Sequence, residues 1–149
     1  MKKLVQQLQR DYPEITFVKG TTFRWSPSTS QVLYCESPDE SDLWSLLHEV
    51  GHATLQHQTY TTDIELLRKE VQAWDAAHLL ARHYNIAIDE TFVGDCLDSY
   101  RDWLYKRSTC PKCSLQGVQE TSGQYICINC KHTWVVNSER FCRPYRRST

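Results

Sequence analysis

The sequence predicts an α+β chain in two parts: a small domain with a short antiparallel sheet and packed helices over residues 1–107, then a cysteine-bearing module over 108–149. Three observations carry this. Short alternating apolar runs lie before residue 36, three long stretches of helical periodicity lie between 37 and 107, and two C-x-x-C pairs follow. With 149 residues, the chain can build one modest core and one appendage.

Taken in order, Leu4, Val5 and Leu8 suggest a short helix that stops before Pro13. Ile15–Val18 and Thr22–Trp25 read as strands around Lys19-Gly20. Gln31–Cys35 is a third strand, reached through the turn Ser26-Pro27-Ser28-Thr29-Ser30. Ser37-Pro38-Asp39-Glu40 reads as a helix start, with Ser37 as N-cap, Pro38 at the first helical position and Glu40 closing a capping box. Leu43, Trp44, Leu47, Val50 and Leu55 then recur at helical spacing. Another helix is expected from Asp63 to about Tyr84, and a fourth from the N-cap Asp89, striped by Phe92, Val93, Cys96, Leu97, Tyr100, Trp103 and Leu104.

About three turns into the second helix stands His48-Glu49-Val50-Gly51-His52. Histidines four apart lie on one helical face, about 6 Å from each other, so both can reach one divalent ion. Glu49 lies beside the first of them, where a carboxylate can take a proton from water activated by a metal. That arrangement points to metal-assisted hydrolysis of a peptide bond in a protein or peptide substrate. Gly51 within a helix costs about 1 kcal/mol relative to Ala, which implies a close approach to its backbone.

A catalytic zinc takes a third protein ligand and keeps a position for water. Downstream candidates are His57, Glu65, Glu70, Asp75, His78 and His83. Glu70 is preferred because it opens an E-x-x-A-x-x-x-A pattern: Ala73 and Ala77 near it on the same face would let this helix pack closely on the HExxH helix. Glu65 is the second choice. His57 lies about 140° off the His52 face if the helix continues, and can join only if it ends near Leu55. A structural or substrate-facing role is expected for His57. No spacing rule selects a transition-state donor among Tyr60, His78 and His83.

HEVGHATLQH followed by the E-x-x-A-x-x-x-A helix resembles the small gluzincin metallopeptidases of the ImmA/IrrE type over roughly residues 15–85. The resemblance implies a zincin-like domain, a catalytic zinc on His48, His52 and Glu70, and Glu49 as the base. One position departs from that pattern: Trp74 stands where the family's second motif usually has Asn or Asp. The SprT-like proteases, which act on proteins attached to DNA, are also similar in joining an HExxH domain to a C-terminal zinc ribbon. Their third ligand is typically a downstream histidine, for which His57 is the near candidate.

Cys110, Cys113, Cys127 and Cys130 form C-x2-C-x13-C-x2-C. Two such knuckles make a closed tetrahedral thiolate site, so this module is expected to be a zinc ribbon holding one structural zinc, with Ser122-Gly123 as its hairpin turn. Cys142 and His132 would break the symmetry of the knuckles. Residues 1–107 carry 11 Lys/Arg against 16 Asp/Glu, whereas 108–149 carry 6 against 2, so the second part is basic. Lys112, Lys131, Arg140, Arg143, Arg146 and Arg147 with Tyr125, Trp134 and Tyr145 suit phosphate contact and base stacking, although Trp134 serves equally well inside the ribbon. Nucleic acid is thus a candidate partner, and a non-enzymatic zinc module that binds nucleic acid or protein is the alternative to a protease. No run approaches the ~18 apolar residues of a membrane span. The polar N-terminus is unlike a secretory signal, and seven cysteines, four of them paired for metal, fit a reducing cytoplasm.

Overall fold

A computed structural model describes residues 1–36, 38–121 and 123–137, and the backbone of 146–148. The chain is α+β. Its elements run α1 (Lys2–Asp11), β1 (Thr16–Lys19), β2 (Arg24–Ser26), β3 (Gln31–Tyr34), α2 (Glu40–Thr54), α3 (Asp63–His83), α4 (Glu90–Ser108), β4 (Gly117–Thr121), β5 (Gln124–Cys127), β6 (Thr133–Val136) and β7 (Arg146–Ser148). They form two compact units, residues 1–58 with 69–94 and residues 59–68 with 95–149. The second unit therefore takes in the start of α3 and most of α4 besides the cysteine-bearing strands. No helix among the described residues is long and apolar enough to cross a membrane.

In the first unit the sheet order is β1-β3-β2. β2 and β3 pair antiparallel across the Ser-rich turn, as expected, with Trp25 opposite Val32. β1 runs parallel to β3 instead of forming a hairpin with β2, so the sheet is mixed. Lys19-Gly20 does not turn the chain back: Gly20 N–H still bonds the Tyr34 carbonyl and extends the β1–β3 ladder. Phe17 and Val32 face the core with Leu4, Val5 and Leu8 of α1.

α2 starts two residues later than the expected capping box. Its N-cap is Asp39 in extended conformation, Pro38 precedes the cap, and Ser37 lies outside the described residues. Glu40 is thus the first helical residue and stands too early to close a box. With Asp42 it supplies first-turn negative charge that suits the helix dipole. The fourth helix is capped as expected: Asp89 Oδ1 accepts the Thr91 N–H at 2.8 Å.

α2 and α3 meet at Gly51. A Cβ built there would lie 2.4 Å from the Ala73 carbonyl oxygen and 3.3 Å from Ala76 Cβ. Ala73 and Ala77 are fully buried, as the small-residue pattern requires. Helix propensity alone would make Gly51→Ala stabilising by about 1 kcal/mol. The backbone contact reverses the sign: we expect a net loss of about 1–3 kcal/mol from overpacking. Urea unfolding measures it, and an unchanged or higher midpoint would show that the two helices are free to separate.

In the second unit the sheet order is β4-β5-β6-β7 with every pair antiparallel. Its core holds Tyr125 and Trp134, whose rings stack with centroids 5.6 Å apart, beside Cys110 and Cys127. Gly123 occupies the β4–β5 turn with φ 74°, a conformation that favours glycine, and Ser122 lies outside the described residues.

Candidate metal centres

The first centre is assembled by two helices. On α2, the i, i+4 spacing of His48 and His52 brings their Nε2 atoms 3.1 Å apart. Glu70 on α3 places Oε2 3.2 Å from His48 Nε2 and Oε1 3.6 Å from His52 Nε2. All three side chains are about nine-tenths buried. Ligand atoms on a tetrahedral zinc with bonds of about 2.0–2.1 Å are about 3.3 Å apart, so the trio fits one ion. Burial opposes ionisation of Glu70, but its bonds to His48 and His52 outweigh that, and the carboxyl is held below the usual carboxylate range. The site therefore combines a carboxylate and two imidazoles, the donor set of a borderline transition-metal ion.

The remaining sequence candidates lie elsewhere. Among the described residues the only side chains in this cluster are His48, His52 and Glu70. Glu65, the second choice, folds back over its own helix start and accepts from Thr61 N–H at 2.8 Å and Thr61 Oγ1 at 2.9 Å. Asp75 is exposed, His78 pairs with Glu90 at 3.7 Å, and His83 packs edge-on against Tyr84.

Trp74, at the position where Asn or Asp was expected, covers the His48 ring with its indole, the centroids 4.4 Å apart. His48 Nδ1 is buried without a hydrogen-bond partner. One ligand ring is thus covered by an aromatic face and takes no hydrogen bond through its Nδ1.

Two further residues touch the site: Trp25, which spacing did not suggest, and His57, which the sequence allowed to reach it if α2 ended near Leu55. Trp25 on β2 donates its backbone N–H to Glu49 Oε2 at 2.6 Å, and its indole N–H to the His57 carbonyl at 3.0 Å. α2 ends at Thr54, and His57 then turns back. Gln56 adopts φ 52°, its N–H bonds the Ala53 carbonyl, and the His57 N–H bonds the His52 carbonyl. This is the paired bonding of a Schellman cap, formed without the usual glycine. It sets His57 Nδ1 2.8 Å from His52 Nδ1. Burial, followed by His52 and Lys69, lowers the pKa of His57, which favours the neutral ring. The early helix end lets His57 reach the site, but on the far side of the His52 ring from the ligand cluster.

The second centre lies on the cysteine knuckles. Cys110 Sγ and Cys130 Sγ are 3.7 Å apart, and Cys113 Sγ and Cys127 Sγ 3.4 Å. These spacings are far beyond a disulfide bond of about 2.05 Å. They approach the edge of about 3.8 Å that follows from zinc–sulfur bonds of about 2.3 Å. The knuckles repeat one another. Ser114 N–H bonds the Cys110 carbonyl and Lys131 N–H the Cys127 carbonyl, while Ser114 and Lys131 share φ values of 61° and 58°. Crowding shows in the thiol chemistry: although the His132 N–H favours the thiolate, burial and the neighbouring sulfurs push Cys130 up to about 11. A bound cation removes that conflict. His132 stacks against Trp134 and takes no part in the cluster, and Cys142 lies outside the described residues.

In the basic module the aromatics are core: Tyr125, expected at a stacking surface, is buried like Trp134, for which an inside position was equally open. Tyr125 is 1% exposed and Trp134 0%, so neither ring can stack on a base. Lys112 and Lys131 are exposed, and the side chains of Arg140, Arg143, Tyr145, Arg146 and Arg147 lie outside the described residues. Comparison with protein families, curated proteins and solved structures finds no match to this chain.

Proposed function

We propose that the protein is a zinc-dependent metallopeptidase of the gluzincin type, with a zincin-like catalytic domain and a structural zinc ribbon. The observation that carries the proposal is the convergence of two imidazole Nε2 atoms and a buried carboxylate from two closely packed helices. Glu49 stands next in sequence to one of those ligands. His48, His52 and Glu70 hold the catalytic zinc, and Cys110, Cys113, Cys127 and Cys130 hold the structural one. When bound, the catalytic zinc supplies Lewis acidity, polarising a carbonyl oxygen and acidifying water near neutral pH.

The residues of the chain supply the rest. The Trp25 N–H fixes Glu49 Oε2 and leaves Oε1 to take the proton from the water that attacks the peptide carbonyl. The same carboxyl then passes the proton to the leaving amine. The four thiolates close their own site, so that ion folds the ribbon and takes no part in the reaction. The substrate is a protein or peptide in a cytoplasmic setting. If the ribbon meets nucleic acid, Lys112 and Lys131 meet its phosphates. The SprT-like reading is less well supported, because His57 faces His52 through Nδ1 and does not join the Nε2 cluster.

Metal analysis of the purified chain tests the proposal. Wild type should carry two zinc ions, and His48→Ala one, with cleavage of a denatured protein substrate lost in step. Two ions retained in His48→Ala would dissolve the first centre. Two ions lost to one without any cleavage by wild type, with or without DNA, would leave a non-enzymatic zinc module.

A further inference from the structure

A histidine that binds a metal through Nε2 carries its proton on Nδ1, and whatever accepts that proton sets the tautomer and the plane of the ring. In the first centre the two ligand histidines differ here. His48 Nδ1 has no partner and its ring lies under Trp74, whereas His52 Nδ1 faces His57 Nδ1 at 2.8 Å. Two imidazoles that meet through the same nitrogen share one proton. Both atoms protonated would repel, and both bare would leave no hydrogen bond.

The His57 ring is brought to that contact by backbone. The Schellman bonds return residue 57 over the last turn of α2, and the Trp25 indole holds its carbonyl. With its Nδ1 accepting from His52 Nδ1 at 2.8 Å, a neutral His57 ring carries its own proton on Nε2.

We propose that His57 is a positioning residue of the metal centre: its Nδ1 accepts the Nδ1 proton of His52 and so fixes the tautomer and ring orientation in which His52 presents Nε2 to the ion. The proposal rests on the metallopeptidase reading above for the identity of the centre, but not on turnover. His57 itself is no ligand, because its contact lies across the His52 ring from Nε2.

The full-length chain tests this by zinc competition against a chromogenic chelator, with the thiolate site as internal reference. His57→Phe keeps a ring without an acceptor and should weaken the first site 10–100-fold. His57→Gln restores an acceptor oxygen and should return affinity to within a few-fold of wild type. Nitrogen-15 NMR of the zinc-loaded wild type should place the His57 proton on Nε2 and the His52 proton on Nδ1. Wild-type affinity in His57→Phe, or a His57 proton on Nδ1, overturns the proposal. Should His57→Phe fail to fold, the tautomer measured in wild type decides alone. A wild type that binds zinc at the thiolates only would remove the centre itself, a failure visible before any change at residue 57.

Discussion

Glu49→Gln should retain two zinc ions per chain and lose about 10²–10⁴-fold in kcat, with little change in KM. The substitution is nearly isosteric. Its amide oxygen can still accept the Trp25 N–H that holds Glu49 Oε2 at 2.6 Å, so the side chain has no reason to leave its place. Its amide nitrogen cannot take a proton near neutral pH, and the transfer from water to leaving amine is lost. Unchanged metal content separates this effect from damage to the ligands, since Glu49 is not among the three clustered groups. Cleavage of a verified substrate at the wild-type rate would remove Glu49 from the chemistry, whatever the fate of the metal.

The centre was largely legible in the sequence because its information is local. His48 and His52 are one helical turn apart, and the partner helix announced itself through Ala73 and Ala77, small residues that allow the approach made at Gly51. The cysteine knuckles were legible for the same reason. Strand partners were not: alternation in Thr16–Lys19 tells which face is buried but not which neighbour is paired, and β1 chose β3 over β2. The reversal that brings His57 to His52 depends on Gln56 in a left-handed conformation, which no glycine marks. Trp25 was seen only as the end of an alternating strand. Its two N–H groups reach residues 24 and 32 positions away, a separation to which local patterning is blind. Aromatic and basic residues after residue 107 suggested a stacking surface, with Trp134 open to either role, yet composition does not reveal which face of a short strand is inward, and Tyr125 and Trp134 are both core.

The largest loss of stability is expected from Asp63→Ala. Asp63 and Arg107 lie 44 residues apart and are both nearly inaccessible. Asp63 Oδ2 accepts from Arg107 Nε at 2.6 Å and from the Tyr125 hydroxyl at 2.5 Å, and its own N–H donates to Gln119 Oε1 at 2.7 Å. Arg107 also donates to the Asn137 carbonyl, lies over the Trp103 ring at 4.5 Å, and through its carbonyl accepts the Trp134 indole N–H. One carboxylate thus ties the first turn of α3, the last turn of α4 and strand β5 within the second unit. Removing it strands a buried guanidinium, and breaking a buried pair from one side costs about 3–5 kcal/mol. Domains of ordinary stability have about 5–15 kcal/mol in all, so the variant should melt far below wild type. Tyr125→Phe provides the scale. It removes one hydrogen bond but leaves the ion pair whole, and should cost about 1–2 kcal/mol. Thermal unfolding of the zinc-loaded proteins should therefore rank wild type above Tyr125→Phe and both well above Asp63→Ala. Equal losses in the two variants would mean that the hydroxyl, and not the ion pair, holds the junction. The order matters for the cysteine cluster as well, because Asp63 bonds the Tyr125 hydroxyl while the Arg107 carbonyl accepts the Trp134 indole N–H. These are the two stacked rings that lie beside Cys110 and Cys127 in one core.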